Sequence, residues 1–293
     1  MWVVFAFGSA LFAGVTAILA KLGLRDMDSS LATALRTVVV LAFSWLMVYL
    51  AGLQEGLRHL EARAILFLAL SGLATGASWL CYFRALQIGD INKITPVDKS
   101  STLLTILLAW MFLKEPITPI TLAAMFLMGC GTYLMIRPNP PARAEKSPAS
   151  EGRGSASWLV PAALSALFAA LTSILGKIGM QGIDSTLGTA LRTGVVLIMA
   201  WVTVLIRGTQ REIRRIDSKG WLFLFLSGLA TGASWLCYFR ALQSGPASAV
   251  VPIDKLSILV TIAFSSLVFH ERLHRRAGIG LALLTGGTLL MLL

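Results

Sequence analysis

Apolar residues along this chain gather into ten long runs separated by short polar or basic interruptions. The runs cover residues 2–20, 31–51, 64–85, 91–113 and 118–136, then 158–176, 187–206, 221–241, 247–269 and 277–293. Each is close to twenty residues, enough at about 1.5 Å per residue to cross a hydrocarbon core of about 30 Å. Backbone groups in lipid must bond within their own segment, so the runs are predicted helices. The alternation that a membrane β-barrel needs is absent. The expected fold is an all-α membrane protein of ten transmembrane helices.

The pattern also repeats. Residues 70–87, LSGLATGASWLCYFRALQ, recur without change as residues 226–243, 156 positions later. On the same offset Lys21 meets Lys177, Asp28 meets Asp184, Arg36 meets Arg192, Pro96 meets Pro252, Asp98 meets Asp254 and Lys99 meets Lys255. The chain therefore divides into two five-helix repeats, 1–136 and 158–293. They are joined by 137–157, whose proline, serine, glycine and mixed charge read as a flexible linker. Five is odd, so the second repeat is expected to enter the membrane from the opposite side, as an inverted-topology duplication.

Composition agrees: 56% of residues are hydrophobic and 13% charged, and the mean hydropathy is +0.78. A soluble domain carries about a quarter charged residues. The net charge of +11 points to anionic lipid headgroups and not to nucleic acid, because the basic residues sit in short loops beside apolar helices. The first run starts at Met1 without a basic leader or a small-residue cleavage site, so it is expected to be the first helix and not a removed signal. Fifteen lysines and arginines fall on the linker side against four on the other, which places the linker in the cytoplasm and both termini outside. Cys81, Cys130 and Cys237 lie in membrane runs with no paired spacing, so no disulfide or metal site is expected. His270 and His274 flank a short basic turn and are not taken as a metal site either. Phosphate loops and nucleophile motifs are missing, which leaves enzyme chemistry and cofactors without a basis.

The run W-L-C-Y-F-R-A-L-Q-x-G followed by P-x-D-K-x-S occurs at 79–101 and again at 235–257. It resembles the EamA family of the drug/metabolite transporter superfamily, as do the turns at Glu115 and Glu271. The resemblance implies two five-helix repeats around a central substrate cavity, alternating access, and export of small metabolites. It also implies cytoplasmic termini, against the charge count.

Candidate site residues come in pairs. Ser71, Thr75, Ser78 and Tyr82 share one face of the third helix; Ser227, Thr231, Ser234 and Tyr238 repeat it in the eighth. Gly72, Gly76 and Trp79 form the adjoining stripe, repeated as Gly228, Gly232 and Trp235, with a G-x-x-x-G that admits a close neighbour. The hydroxyls suit either interhelical packing or a cavity wall, whereas Trp79, Trp235 and the tyrosines suit a partly wet cavity. Asp98 and Asp254 are the intramembrane acids, each two residues after a proline, Pro96 or Pro252, that opens the helix. By depth Arg36 is placed to pair with Asp98, and Arg192 with Asp254, as static bridges or as gates and proton-coupling sites. Lys99 and Lys255 face the cavity or the headgroups; Arg84 and Arg240 read as snorkelling anchors.

The expected function is an exporter of a small polar metabolite, an amino acid or organic acid, in a bacterial-type inner membrane. Lipophilic-cation efflux and a lipid-linked sugar flippase subunit are the alternatives within transport, and a non-transporting assembly partner is the alternative outside it. Proton coupling, and monomer against homodimer, stay open.

Overall fold

The computed structural model describes residues 1–23, 27–88, 94, 97, 100–136, 158–268 and 275–292. Among these there are helices and no strands. They are α1 (Trp2–Gly23), α2 (Ser29–Leu50), α3 (Ala62–Ile88), α4 (Ser101–Leu113), α5 (Pro119–Ile136), α6 (Leu159–Gly179), α7 (Ser185–Arg207), α8 (Ser218–Ser244), α9 (Ala247–Lys255), α10 (Ser257–Val268) and α11 (Arg275–Leu290). Among the described residues seven spans are long and apolar enough to cross a membrane, α9 and the first part of α10 forming one of them. The outer surface is apolar as well: Phe126 is 72% exposed and Ile206 70%. Exposed hydrocarbon on that scale fits a bilayer and not water.

Local sequence explains the helix ends, and it does so in duplicate. Asp28 caps α2 by accepting from the backbone N–H of Ser30 and Leu31, and Asp184 caps α7 through Thr186. Both helices run out at a glycine with positive φ, Gly52 at 67° and Gly208 at 71°, each opening a 3₁₀ turn. A side chain would be strained there.

Packing mostly joins one half of the chain to the other. α1 lies on α8 as α3 lies on α6; α3 meets α7 as α8 meets α2; and α2 packs on α7 and α5 on α11. The glycine stripes let these pairs approach. A Cβ on Gly72 would fall 2.7 Å from Val195, and one on Gly228 would fall 2.6 Å from its counterpart Val39. The α5–α11 seam is closer still, since a Cβ on Gly131 would stand 2.6 Å from the carbonyl oxygen of Gly280 and the amide nitrogen of Leu284. Backbone cannot step aside as a side chain can. Gly131→Val is therefore expected to cost roughly 1–3 kcal/mol, read as a lower melting temperature of the purified protein. Gly194→Ala, with nothing within 4 Å of the new methyl, serves as the control that should not fall. Equal melting of both variants would refute the tight seam.

The run predicted as one helix over 247–269 is two. Pro252 lies inside α9, yet the interruption comes at Leu256, where the N–H of Leu256 donates to Ile253 O at 2.9 Å and that of Leu259 to Leu256 O at 2.8 Å. Proline removes one ladder donor, and the chain tightens to the three-residue spacing one turn later. The first-half equivalents, Pro96, Asp98 and Lys99, lie outside the described residues, as does the linker.

Candidate functional site

Arg192, on α7 and 1% exposed, is the largest fully buried side chain among the described residues. Its Nη2 donates to Thr75 Oγ1 at 2.8 Å and its Nε to Ser71 Oγ at 3.3 Å, both on α3. Its guanidinium lies 4.3 Å from the ring centre of Phe239 and 5.3 Å from that of Trp235, both on α8. Hydroxyls and aromatic faces thus solvate the charge without neutralising it. The expected Arg192–Asp254 bridge is not formed. Asp254 instead accepts from Ser9 Oγ of α1 at 2.5 Å. The two residues stand on different helices, α7 and α9, at the wall of one space.

That space is a cavity of about 270 Å³. Arg192, Trp235, Tyr238 and Phe239 line it together with Asp254 and Lys255 on α9. Thr75, Ser78 and Trp79 of α3 and Ser234 of α8 complete the set that the sequence singled out, and Thr172 and Ser173 of α6 add hydroxyls that it did not. The Tyr238 hydroxyl is 2.7 Å from Ser173 Oγ. Thr172, Ser173 and Phe239 were missed for different reasons. The first two are ordinary hydroxyls in a helix whose Pro161 and Lys177 lie near its ends and away from them, and Phe239 carries no polar group to flag it. The alignment of the halves held the signal: Thr172 repeats Thr16, and both bond to a third- or eighth-helix threonine.

The other candidates are placed elsewhere. Ser71 holds Arg192 from behind the wall and donates to Thr172 O at 2.7 Å. Ser78 also donates to a backbone carbonyl, that of Ser165, matched in the other half by Ser234 donating to Ser9 O. These hydroxyls join helices even where they line the cavity. Tyr82 packs with Ala85, Ile94 and Ala162 at the linker end. Pro252 lines a second cavity. Arg36, Ser227 and Thr231 are not part of the cavity wall. Thr231 is near Thr16 at 3.3 Å, and Ser227 Oγ, counterpart of the hydroxyl that holds Arg192, has no hydrogen-bond partner among the described residues. Arg240, expected to anchor in headgroups, lies 3.4 Å from Asp184 Oδ2. The Arg36–Asp98 pairing and Lys99 lie outside what the structure describes.

The two ends of the bundle differ. At the end away from the linker, Ala6, Leu68, Ile174, Phe239, Val250 and Ile253 belong to the largest buried apolar cluster. A polar junction lies there too, and the sequence did not suggest it. Glu115, between α4 and α5, accepts from the backbone N–H of Ala247 at 2.7 Å and of Ser248 at 2.9 Å. It also takes 2.9 Å from Lys177 Nζ, which donates at 2.7 Å to Gly245 O. One carboxylate thus caps α9 from the other half of the chain. The partner of an acidic loop residue 62 positions away is invisible without the fold.

An apolar-surfaced helical bundle around a partly polar cavity is the build of a membrane transport protein, and the comparisons agree. The family model of the EamA-like transporter family matches residues 1–137 and 156–293. This chain belongs to that family and is a multi-pass membrane transporter. It is 45% identical over 137 residues to an uncharacterized transporter in the cobO 3' region of Sinorhizobium sp., a match covering 47% of this chain and 97% of that one. It is 24% identical over 221 residues to the uncharacterized transporter YojE of Bacillus subtilis, covering 75% of this chain and 68% of that one. A protein crystal structure aligns over 100% of this chain and 98% of its own, with a TM-score of 0.74 at 20% identity, a likeness of fold.

Proposed function

We propose that this transporter exports a small carboxylate-bearing metabolite, an amino acid or organic acid, across the inner membrane by alternating access. The observation that carries the reading is Arg192: a buried guanidinium at the cavity wall, held by neutral hydroxyls and rings and by no carboxylate. A charge kept in that state is expensive unless a ligand completes its solvation. Arg192 and Lys255 bring two positive charges to the cavity against the one of Asp254, which favours an anion.

The same reading takes residues 1–136 and 158–293 as two five-helix repeats of opposite orientation, with 137–157 as their link. The duplicated caps, glycine contacts and hydroxyl pairs support it, each recurring at the sequence offset of the repeat. On this reading the Glu115 junction and the apolar cluster behind it close the end away from the linker.

The test is flux. The protein is reconstituted in liposomes loaded with a panel of labelled amino acids, organic acids, neutral sugars and lipophilic cations. Protein-dependent efflux is expected for one or more carboxylates. Efflux confined to cations or to neutral solutes would overturn the reading.

A further inference from the structure

Lys255 belongs to the walls of two cavities. One is the polar space beside Arg192. The other, of about 180 Å³, lies among α4, α5, α9 and α11; Leu103, Met128, Gly129, Leu284 and Pro252 share its wall with five hydroxyl-bearing residues, and the surface it presents is mostly apolar. α9 is therefore a partition, with the anion-favouring chamber on one side and a hydrocarbon-like chamber on the other. Its last residue before the backbone interruption at Leu256 is the one that reaches both. A lysine has an apolar stem and a charged tip, so it suits a boundary where the surroundings change character.

We propose that the substrate is an amphipathic anion whose carboxylate sits with Arg192 and whose alkyl part passes Lys255 into the apolar chamber. This rests on the carboxylate reading above and extends it to the substrate's other end. The charge excess beside Asp254 suits one carboxylate, and the chamber beyond offers methyl and methylene surface to whatever that carboxylate is attached to. Pocket selectivity for alkyl length is the expected consequence, because each methylene moved out of water into such a chamber strengthens binding roughly fourfold.

Gly129 makes the chamber testable. A Cβ there would have its nearest neighbour, Leu103 Cδ1, at 3.7 Å, an ordinary contact. A side chain added at this position of the wall therefore starts clear of backbone, and a leucine is chosen to occupy chamber volume. The full-length protein in lipid nanodiscs is titrated calorimetrically with acetate, butanoate and hexanoate, each corrected for partition into empty nanodiscs. Wild-type affinity is expected to rise roughly fourfold per methylene, and Gly129→Leu is expected to bind acetate as wild type does while losing the rise. Gly129→Ala, a single added methyl, guards against a misfolded leucine variant and should lower hexanoate binding alone. Acetate binding with no dependence on chain length in the wild type would overturn the tail chamber and leave the carboxylate reading standing; this is also the result if a bilayer acyl chain fills the space. A rise unchanged by either substitution would put the alkyl part elsewhere and overturn the proposal. No binding of any of the three would overturn both.

Discussion

Arg192→Met is expected to cost carboxylate affinity about 100-fold while leaving the melting temperature unchanged or higher. Methionine keeps much of the length and flexibility of the side chain and removes the charge. A hydrogen bond to a charged group is worth about 1.5–3 kcal/mol, and the upper part of that range is about a hundredfold in affinity. The stability arm separates two roles for the residue. Had Arg192 been the partner of a buried Asp254, its loss would strand a carboxylate and destabilise the protein by about 3–5 kcal/mol. Because its partners are Ser71, Thr75 and two rings, what is left behind is neutral, and the cost of burying a cation disappears with the cation. Arg192→Lys should fall between, since it keeps the charge but neither the planar fork nor the stacking on Phe239. Binding is measured with the purified protein and melting in the same buffer. A strong fall in melting temperature with carboxylate affinity retained would return Arg192 to a structural role.

How this cavity is built shows what could be read beforehand. Runs of apolar residues gave most of the described helices to within a few positions, the run 247–269 being two helices, and the 156-residue offset is matched by pairs of equivalent contacts such as Ser78–Ser165 and Ser234–Ser9. Depth along a helix is also legible, because rise per residue is fixed. Azimuth is not. Arg192 and Asp254 line one cavity, but which neighbour each faces depends on how α7 and α9 are rotated, and for α7 that is set by close glycine contacts such as Gly72 against Val195 and Gly76 against Met199. Pro252 marked an interruption and put it four residues too early. Glu115 drew notice as part of a turn, yet its partners come from α6 and the start of α9. A loop acid's partners are decided by tertiary packing, so no spacing rule finds them.

Glu115→Ala is expected to unseal the end away from the linker. In the wild type this carboxylate satisfies the N–H groups of Ala247 and Ser248 and the ammonium of Lys177, so three elements from the two halves meet on one side chain. Alanine strands those donors. Each orphaned donor costs about 1–3 kcal/mol while the end stays closed, and opening to water relieves the cost. A shift of about 2.8 kcal/mol changes the open population about a hundredfold. Val250, fully buried in the apolar cluster behind the junction, reports it: with Cys81, Cys130 and Cys237 replaced, a Val250→Cys thiol should react with an impermeant maleimide roughly 10–100 times faster in the Glu115→Ala background. Lys177→Met should act in the same direction but more weakly, since it leaves the α9 cap in place, and the double variant should fall short of the sum because the residues share one network. Acidity supplies an independent arm. Burial raises the Glu115 carboxyl, but hydrogen bonds from Ser248, Lys177 and Ala247 outweigh it, and the group titrates below its ordinary range. A pKa lower in the closed state than in the open one means that the junction's stabilisation is complete at neutral pH and is lost as pH falls through the lowered value. Labelling of Val250→Cys, taken relative to an exposed cysteine, should therefore be flat around neutrality and rise only in acid, and the acid rise should vanish in Glu115→Ala. Slow labelling in both proteins, with both at normal levels in the membrane, would show that the apolar cluster seals this end by itself and that the Glu115 junction only trims a helix terminus.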